Sequence, residues 1–316
     1  MKLCNQRLQT LIHGSYRYLH HKGGYMSFCH YDEEQTEYLK FNDFFYVRAF
    51  FSSSVTVEFI TDAQKISFDY KIYLAASKDS LDLYVDDVAF AIKPVADLGD
   101  KGSLCFDLPA GKKKVTIYFP LDTNLGIKNF CIDGKWRSVP KKKTKVLWIG
   151  DSITQGYGAS LTSHTYVNVA NRMLGYEILN QGIGGYYYDK GVLKPLENFK
   201  PDKIILAMGS NQFRWADTQT WIDEYFEKLT AIYPDVPMLA ITPIWRNLNE
   251  EEKPIFEKCA SFIRAQAEKY PNVTVIDGLT LVPGCLEFYI DGLHPTSLGM
   301  TLYGQNLVNT IKKLGW

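Results

Sequence analysis

Four short clusters in the second half of the chain carry the residues best suited to chemistry: Gly150-Asp151-Ser152-Ile153-Thr154, Asn180-Gln181-Gly182-Ile183-Gly184-Gly185, Gly209-Ser210-Asn211 and Asp291-Gly292-Leu293-His294. Together they offer a hydroxyl, the backbone amides of a glycine-rich turn, a side-chain amide and a carboxylate–imidazole pair. Acyl transfer needs these parts: a nucleophile, a base to take its proton, a carboxylate to orient the base, and donors for the oxyanion. Of the six histidines (His13, His20, His21, His30, His164 and His294), only the last two lie in this half. His164, among polar neighbours near a helix start, reads as solvated surface. His294 follows Asp291 by three residues, an offset that lets the carboxylate accept from one ring nitrogen while the other faces a serine. Each fragment taken alone has a plainer reading. Asp151-Ser152 is more often a helix cap than a nucleophile; the glycines describe a tight turn, Asn211 a loop cap, and Asp-x-x-His a surface turn.

The weight comes from the elements that must position these clusters. Apolar strands KVLWIG, YEILNQG, KIILAMGS, PMLAITP and VTVIDG alternate with amphipathic stretches after Lys141. In the stretch ending at Tyr270, Phe256, Cys259, Ala260, Ile263 and Ala267 share one helical face. Ser297 is expected to cap a final helix running to Lys313. The pattern predicts a parallel five-stranded sheet with helices on both faces. In such a sheet ligands bind beyond the carboxyl ends of the strands, where the four clusters fall.

Before Lys141 the texture differs. Segments 44–51, 55–60, 65–74, 81–92 and 115–119 are rich in aromatic and β-branched residues and are punctuated by Gly, Asn, Asp and Ser. They predict short antiparallel strands in an all-β sandwich or jelly roll, with no helical period between 25 and 132. At 316 residues two domains are expected, divided at the linker-like run Lys141-Lys142-Lys143 into an accessory sandwich, 1–140, and an α/β domain, 141–316.

Thirty-five basic residues balance thirty-five acidic ones. No global field then draws the chain to nucleic acid or an anionic membrane, and neither is an expected partner. The six cysteines (Cys4, Cys29, Cys105, Cys131, Cys259 and Cys285) form no CxxC pair and read as reduced, mostly buried thiols. The first residues contain no apolar run followed by a small-residue cleavage site, and no stretch reaches a membrane span; a cytoplasmic location is expected. The glycines at 182–185 do not make GxGxxG, since Tyr187 stands where the last glycine belongs. Neither GxxxxGK nor GxSxG occurs, and no HExxH or Cys/His cluster suggests a metal. No metal or organic cofactor is expected.

Assembled in order, the four blocks resemble the SGNH hydrolases, also called GDSL-type esterases, which implies a flavodoxin-like arrangement of the five parallel strands. The resemblance implies that Ser152 is the nucleophile, that the amides of Ser152 and Gly185 and the side chain of Asn211 form the oxyanion hole, and that Asp291 and His294 complete the triad. Asn180 and Gly209 match the remaining block positions. Many members carry Asp after the third-block Asn, where this chain has Gln212. In the first half, Leu81-Asp82-Leu83-Tyr84-Val85 and 115–120 resemble the β-sandwich domain that precedes some bacterial SGNH esterases. The motif of that domain has Gly two residues before Asp-Leu-Tyr; here the residue is Ser80. Such two-domain enzymes, like the family-2 carbohydrate esterases, imply a short-chain acylesterase, acetyl by preference, acting on a carbohydrate. Tyr186, Tyr187, Tyr188, Arg214, Trp215, Trp245 and Arg246, just beyond strand ends, are candidates to line the substrate pocket, with Trp215 and Trp245 placed to stack on a sugar. The same machinery would also serve a thioesterase or a lysophospholipase. A carbohydrate-binding protein with a decayed catalytic half is the alternative from another class. The sequence leaves the oligomeric state open.

Overall fold

The computed structural model describes residues 2–77 and 79–316. Its first half opens with α1 (Asn5–Gln9), β1 (Ile12–His13), β2 (Arg17–His20) and β3 (Met26–Cys29). Two helices follow, α2 (Glu33–Leu39) and α3 (Asp43–Arg48). Then come β4 (Thr56–Thr61), β5 (Lys65–Ala75), β6 (Ser80–Val85), β7 (Val88–Pro94), β8 (Lys101–Asp107), β9 (Lys113–Tyr118), β10 (Thr123–Ile132) and β11 (Trp136–Ser138). These strands form two antiparallel sheets, ordered β1-β4-β9-β6-β7, with β11 on β4, and β2-β3-β10-β5-β8. Period-two burial shows why: Ile66, Phe68 and Tyr70 point inward while Lys65, Ser67 and Asp69 are solvated to differing degrees. The inner faces meet in one core, where Phe59 of the first sheet packs edge-on against Phe130 of the second.

The second half contains β12 (Lys145–Gly150), α4 (Ser152–Gln155), α5 (Tyr166–Leu174), β13 (Glu177–Gly182), β14 (Lys203–Ala207), α6 (Thr218–Ile232), β15 (Met238–Ile241), α7 (Glu252–Ala267), β16 (Val273–Ile276) and α8 (Ser297–Leu314). All five strands are parallel, in the order β13-β12-β14-β15-β16, which is the flavodoxin-like order. Alternation along β12 divides the core into two layers. Leu147 and Ile149 face α6 and α7, whereas Val146 and Trp148 face α5 and α8. Helices thus cover both faces, which is why β12, β14 and β15 read as continuous apolar runs. No helix among the described residues is long and apolar enough to cross a membrane.

Several expectations need correction. Segment 44–51 is not a strand, and helices do occur between 25 and 132. Asp32 and Gln35 close a capping box at the start of α2, and Asn42 Oδ1 accepts from the Phe44 amide to start α3. These helices leave the sandwich and bury Leu39, Phe45 and Ala49 in the core of the α/β half, so their aromatics answer to a different partner from the one a sandwich offers. Segment 81–92 is a hairpin, β6 to β7, turning at Asp86 and Asp87, both with positive φ. Helix α8 is capped by Thr296, which accepts from Gly299 N, while Ser297 Oγ accepts from the amides of Ser160 and Leu161. Of the cysteines only Cys29 and Cys259 are buried; Cys4, Cys105 and Cys285 are exposed. His164 is half-buried, with Nδ1 3.2 Å from Thr301 Oγ1.

The lysine run is no loose tether. Lys141 Nζ reaches Glu177 at 3.1 Å and Lys142 Nζ reaches Glu58 at 2.9 Å. A second clasp uses the hairpin: Asp82, fully buried, accepts from Ser163 N at 2.8 Å and from Ser80 Oγ at 2.5 Å, while Thr162 Oγ1 donates to the Ser80 carbonyl at 2.7 Å. The serine that stands where the related motif has glycine is part of this contact.

Candidate active site

Strand β12 ends at Gly150, and the chain turns at once into α4. Any β-carbon at Gly150 would sit 2.7 Å from the Ala207 carbonyl oxygen and still closer to Thr154, so only glycine permits the turn. Asp151 does cap the helix, accepting from Ile153 N at 3.0 Å. The same turn that Asp151 caps places Ser152 at the first position of α4. Burial pushes the Asp151 carboxyl up to about 7, against the pull of the Ile153 amide and of Arg246.

Ser152 is 7% exposed, and its Oγ lies 2.8 Å from His294 Nε2. On the far side of the ring, Nδ1 lies 2.7 Å from Asp291 Oδ2. Asp291 Oδ1 accepts from the amides of Leu293 and His294 at 3.0 and 2.8 Å. Partial burial works against ionisation of Asp291, but the bonds from His294 outweigh it and hold the carboxyl below the usual range. Tyr157 packs edge-on against the imidazole, with ring centres 4.7 Å apart. The arrangement is a hydroxyl on an imidazole on a carboxylate, the geometry by which a base takes and returns a proton.

The glycine turn after β13 closes over this group. Gly185 has φ +75°, a conformation glycine adopts without strain. Its amide makes no hydrogen bond among the described residues. Asn180 secures the turn from below: Nδ2 donates to Thr154 O at 2.9 Å, and Oδ1 accepts from Gly182 N at 2.9 Å. Asn211 Nδ2 donates to Tyr186 O at 2.7 Å, which orients the amide and leaves its second N–H. Gln212 accepts from Tyr188 N through Oε1, tying the third cluster to the second. A cleft of about 380 Å³ brings Ser152, Gly185, Asn211, Asp291 and His294 together.

The aromatic and basic candidates lie elsewhere. Tyr186 is buried, with its hydroxyl on Asp189 at 3.1 Å. Tyr187 packs edge-on to Trp215, and Tyr188 is fully buried against Tyr225. Trp245 packs on Tyr289, while Arg246 Nη1 donates to the Ser210 carbonyl at 2.7 Å and so braces the third cluster. Arg214 pairs with Glu252. None of these seven lines the cleft. Its remaining wall is built instead by Phe44, Arg48 and Asp122 of the first half, with Gln155 and Tyr157 from the turn after Ser152. The first three follow no strand of the parallel sheet, so reading strand ends does not find them; Tyr157, five residues after Ser152, was within reach of that reading.

Residues 148–302 match the GDSL-like Lipase/Acylhydrolase family. Among curated proteins none matches the chain. Solved structures share the whole architecture. A protein of Bacteroides ovatus described as a GDSL-like lipase is 21% identical, with 99% of this chain and 97% of that one covered and a TM-score of 0.81. A salicylyl-acyltransferase of a tetracycline biosynthetic pathway is 19% identical, covering 96% and 94%, with a TM-score of 0.80. A family two carbohydrate esterase of Cellvibrio japonicus is 15% identical, covering 98% and 96%, with a TM-score of 0.65. At these identities the likeness is one of fold.

Proposed function

Residues 148–302 belong to the GDSL-like lipase/acylhydrolase family, and from that membership we propose that the chain is a serine esterase, with Ser152 as nucleophile, releasing short acyl groups, acetyl above all, from a carbohydrate. The observation that carries the reading is the 2.8 Å contact between Ser152 Oγ and His294 Nε2, backed by Asp291. On this reading residues 1–140 are an accessory sandwich and 141–316 the hydrolase domain.

His294 takes the Ser152 proton as the hydroxyl oxygen attacks the ester carbonyl carbon. The carbonyl oxygen becomes an oxyanion among the amides of Ser152 and Gly185 and the side chain of Asn211. Asp291 fixes the tautomer and stabilises the imidazolium. His294 returns the proton to the leaving alcohol as the acyl–oxygen bond breaks. Water, deprotonated by the same imidazole, then attacks the acyl carbon; the acyl–Oγ bond breaks, the carboxylic acid leaves and His294 returns the proton to Ser152 Oγ. The open, partly polar cleft suits a small acyl group and a polar alcohol, and one structure of matching fold is named a carbohydrate esterase.

Ser152→Ala is expected to lower hydrolysis of p-nitrophenyl acetate by on the order of 10⁴-fold or more. Near-native turnover by the folded variant would refute the assignment. Faster cleavage of octanoyl than of acetyl esters would overturn the short-acyl preference.

A further inference from the structure

Two residues on the wall contributed by the first half retain hydrogen-bonding capacity that the fold does not use. Asp122 is 1% exposed; its Oδ1 accepts from Gln155 Nε2 at 2.5 Å, and its Oδ2 has no hydrogen-bond partner within 3.5 Å among the described residues, the Ser77 hydroxyl exerting only a weak pull from nearby. An acceptor withdrawn from water and left unpaired costs on the order of 1–3 kcal/mol, more for a charged group. A persistent orphan of this kind beside a cleft points to a donor supplied from outside.

Arg48 stands on the same wall and is held firmly. Its guanidinium carbon lies 3.4 Å from the centre of the Phe44 ring, and Nη1 donates to the Phe44 carbonyl at 3.0 Å. Its Nε and Cδ lie against Gly184, where a β-carbon would come within 3.0 Å of Nε. Nη2 donates to nothing among the described residues. The guanidinium plane is thus fixed by the ring and the glycine turn, with one edge left for a ligand.

Burial pushes Arg48 down and Asp122 up, and each charge partly counters that effect on the other; Gln155 and Ser77 also favour the Asp122 carboxylate. Yet no ion pair of 4.0 Å or less joins Arg48 and Asp122 among the described residues. The two charges influence each other without direct contact, and both side chains line the cleft. The chemistry of the pair selects the ligand group. A carboxylate or phosphate would oppose the charge of Asp122, and an ammonium would oppose Arg48. A hydroxyl satisfies both, since it donates one hydrogen bond while accepting another.

We propose that Asp122 and Arg48 form a hydroxyl subsite of the active-site cleft, in which a free hydroxyl of the leaving alcohol donates to Asp122 Oδ2 and accepts from Arg48 Nη2. The preferred substrates are then partially acylated polyols that keep an unesterified hydroxyl close to the ester, rather than fully acylated or simple alkyl esters. The inference rests on the esterase reading above and adds the residues that choose the alcohol. A site built to bond a hydroxyl rejects an analogue lacking it strongly, because the buried partners are then left unpaired.

The test compares two esters on the native protein: a methyl hexopyranoside with a single acetyl group, and the analogue in which hydrogen replaces the hydroxyls flanking that ester. The expected preference for the hydroxylated ester is on the order of tenfold or more in kcat/KM, expressed mainly in KM. Asp122→Asn and Arg48→Gln are each expected to reduce this preference to within about threefold. Equal turnover of the two esters by the native protein, a comparison that needs no variant to fold, would overturn the proposal. So would folded variants that keep the preference. If p-nitrophenyl acetate is cleaved but neither sugar ester is, the subsite falls and the esterase reading stands; if none of the three is cleaved, both fall.

Discussion

Asp291 grips His294 at two points, taking the backbone amide on Oδ1 at 2.8 Å and the ring Nδ1 on Oδ2 at 2.7 Å. One carboxylate therefore sets both the position of the residue and the orientation of its ring. Asp291→Asn keeps an acceptor for the amides but presents a donor or a neutral oxygen to the ring. It is expected to cut kcat by on the order of 10²–10⁴-fold. Since Asp291 is exposed, the melting temperature should hardly move. Steady-state kinetics on an aryl acetate checks this, and a variant retaining most of its kcat would remove Asp291 from the triad.

The proposed oxyanion donors can be separated by what each substitution disturbs. Asn211→Ala removes a side-chain amide and is expected to lower kcat by on the order of 10²–10³-fold with little change in KM. Gly185→Ala keeps the amide but forces a side chain into φ +75° and places its β-carbon 3.2 Å from Phe44. It should cost about 1–2 kcal/mol in stability as well as activity. Paired urea melts and kinetics distinguish the two, and an Asn211→Ala enzyme with native kcat would exclude it from oxyanion binding.

Asp82 clasps the sandwich to the loop before α5. Removing its carboxylate strands the buried Ser163 amide and the Ser80 hydroxyl. Asp82→Ala is therefore expected to destabilise the protein by about 2–3 kcal/mol, and Ser80→Gly, the residue of the related motif, by about 1 kcal/mol. Chemical denaturation measures both. A neutral Asp82→Ala would mean that the clasp contributes nothing to stability.

Glu177 supplies a pH dependence. Burial alone would raise its carboxyl, but His13 at 2.9 Å and Lys141 at 3.1 Å bring it down to about 2 from the 4.5 of a free glutamate. Because the folded value is the lower one, this group stabilises the fold above pH 4.5, and the contribution, about 3 kcal/mol, is lost as pH falls from 4.5 toward 2. Glu177→Gln should be less stable than the native protein at pH 6 and should lose less on acidification to pH 3. Parallel acid losses in both proteins would show that Glu177 is not the group responsible.

The strand–helix alternation, the parallel sheet and the four clusters could be read from the chain because each rests on short-range information, whereas the flavodoxin-like strand order was implied only by the family resemblance. Burial on both faces makes β12, β14 and β15 continuous apolar runs, and the turn that ends a strand is written in the next few residues, as at Gly150 and Gly182. Asp291 and His294 are close in sequence, so their contact is nearly local. Other features depended on which surface each segment meets in the folded chain. The apolar residues of 44–51 look the same whether they fill a sandwich or another core; docking on the α/β half makes them helix α3 and carries Phe44 and Arg48 to the cleft. Tyr186, Trp245 and Arg246 follow strands as a lining residue would, yet their side chains turn to Asp189, Tyr289 and Ser210. Sequence pattern fixes how a segment can bury its apolar side, whereas the identity of the partner that buries it is a property of the packed chain. That partner decided which residues surround Ser152.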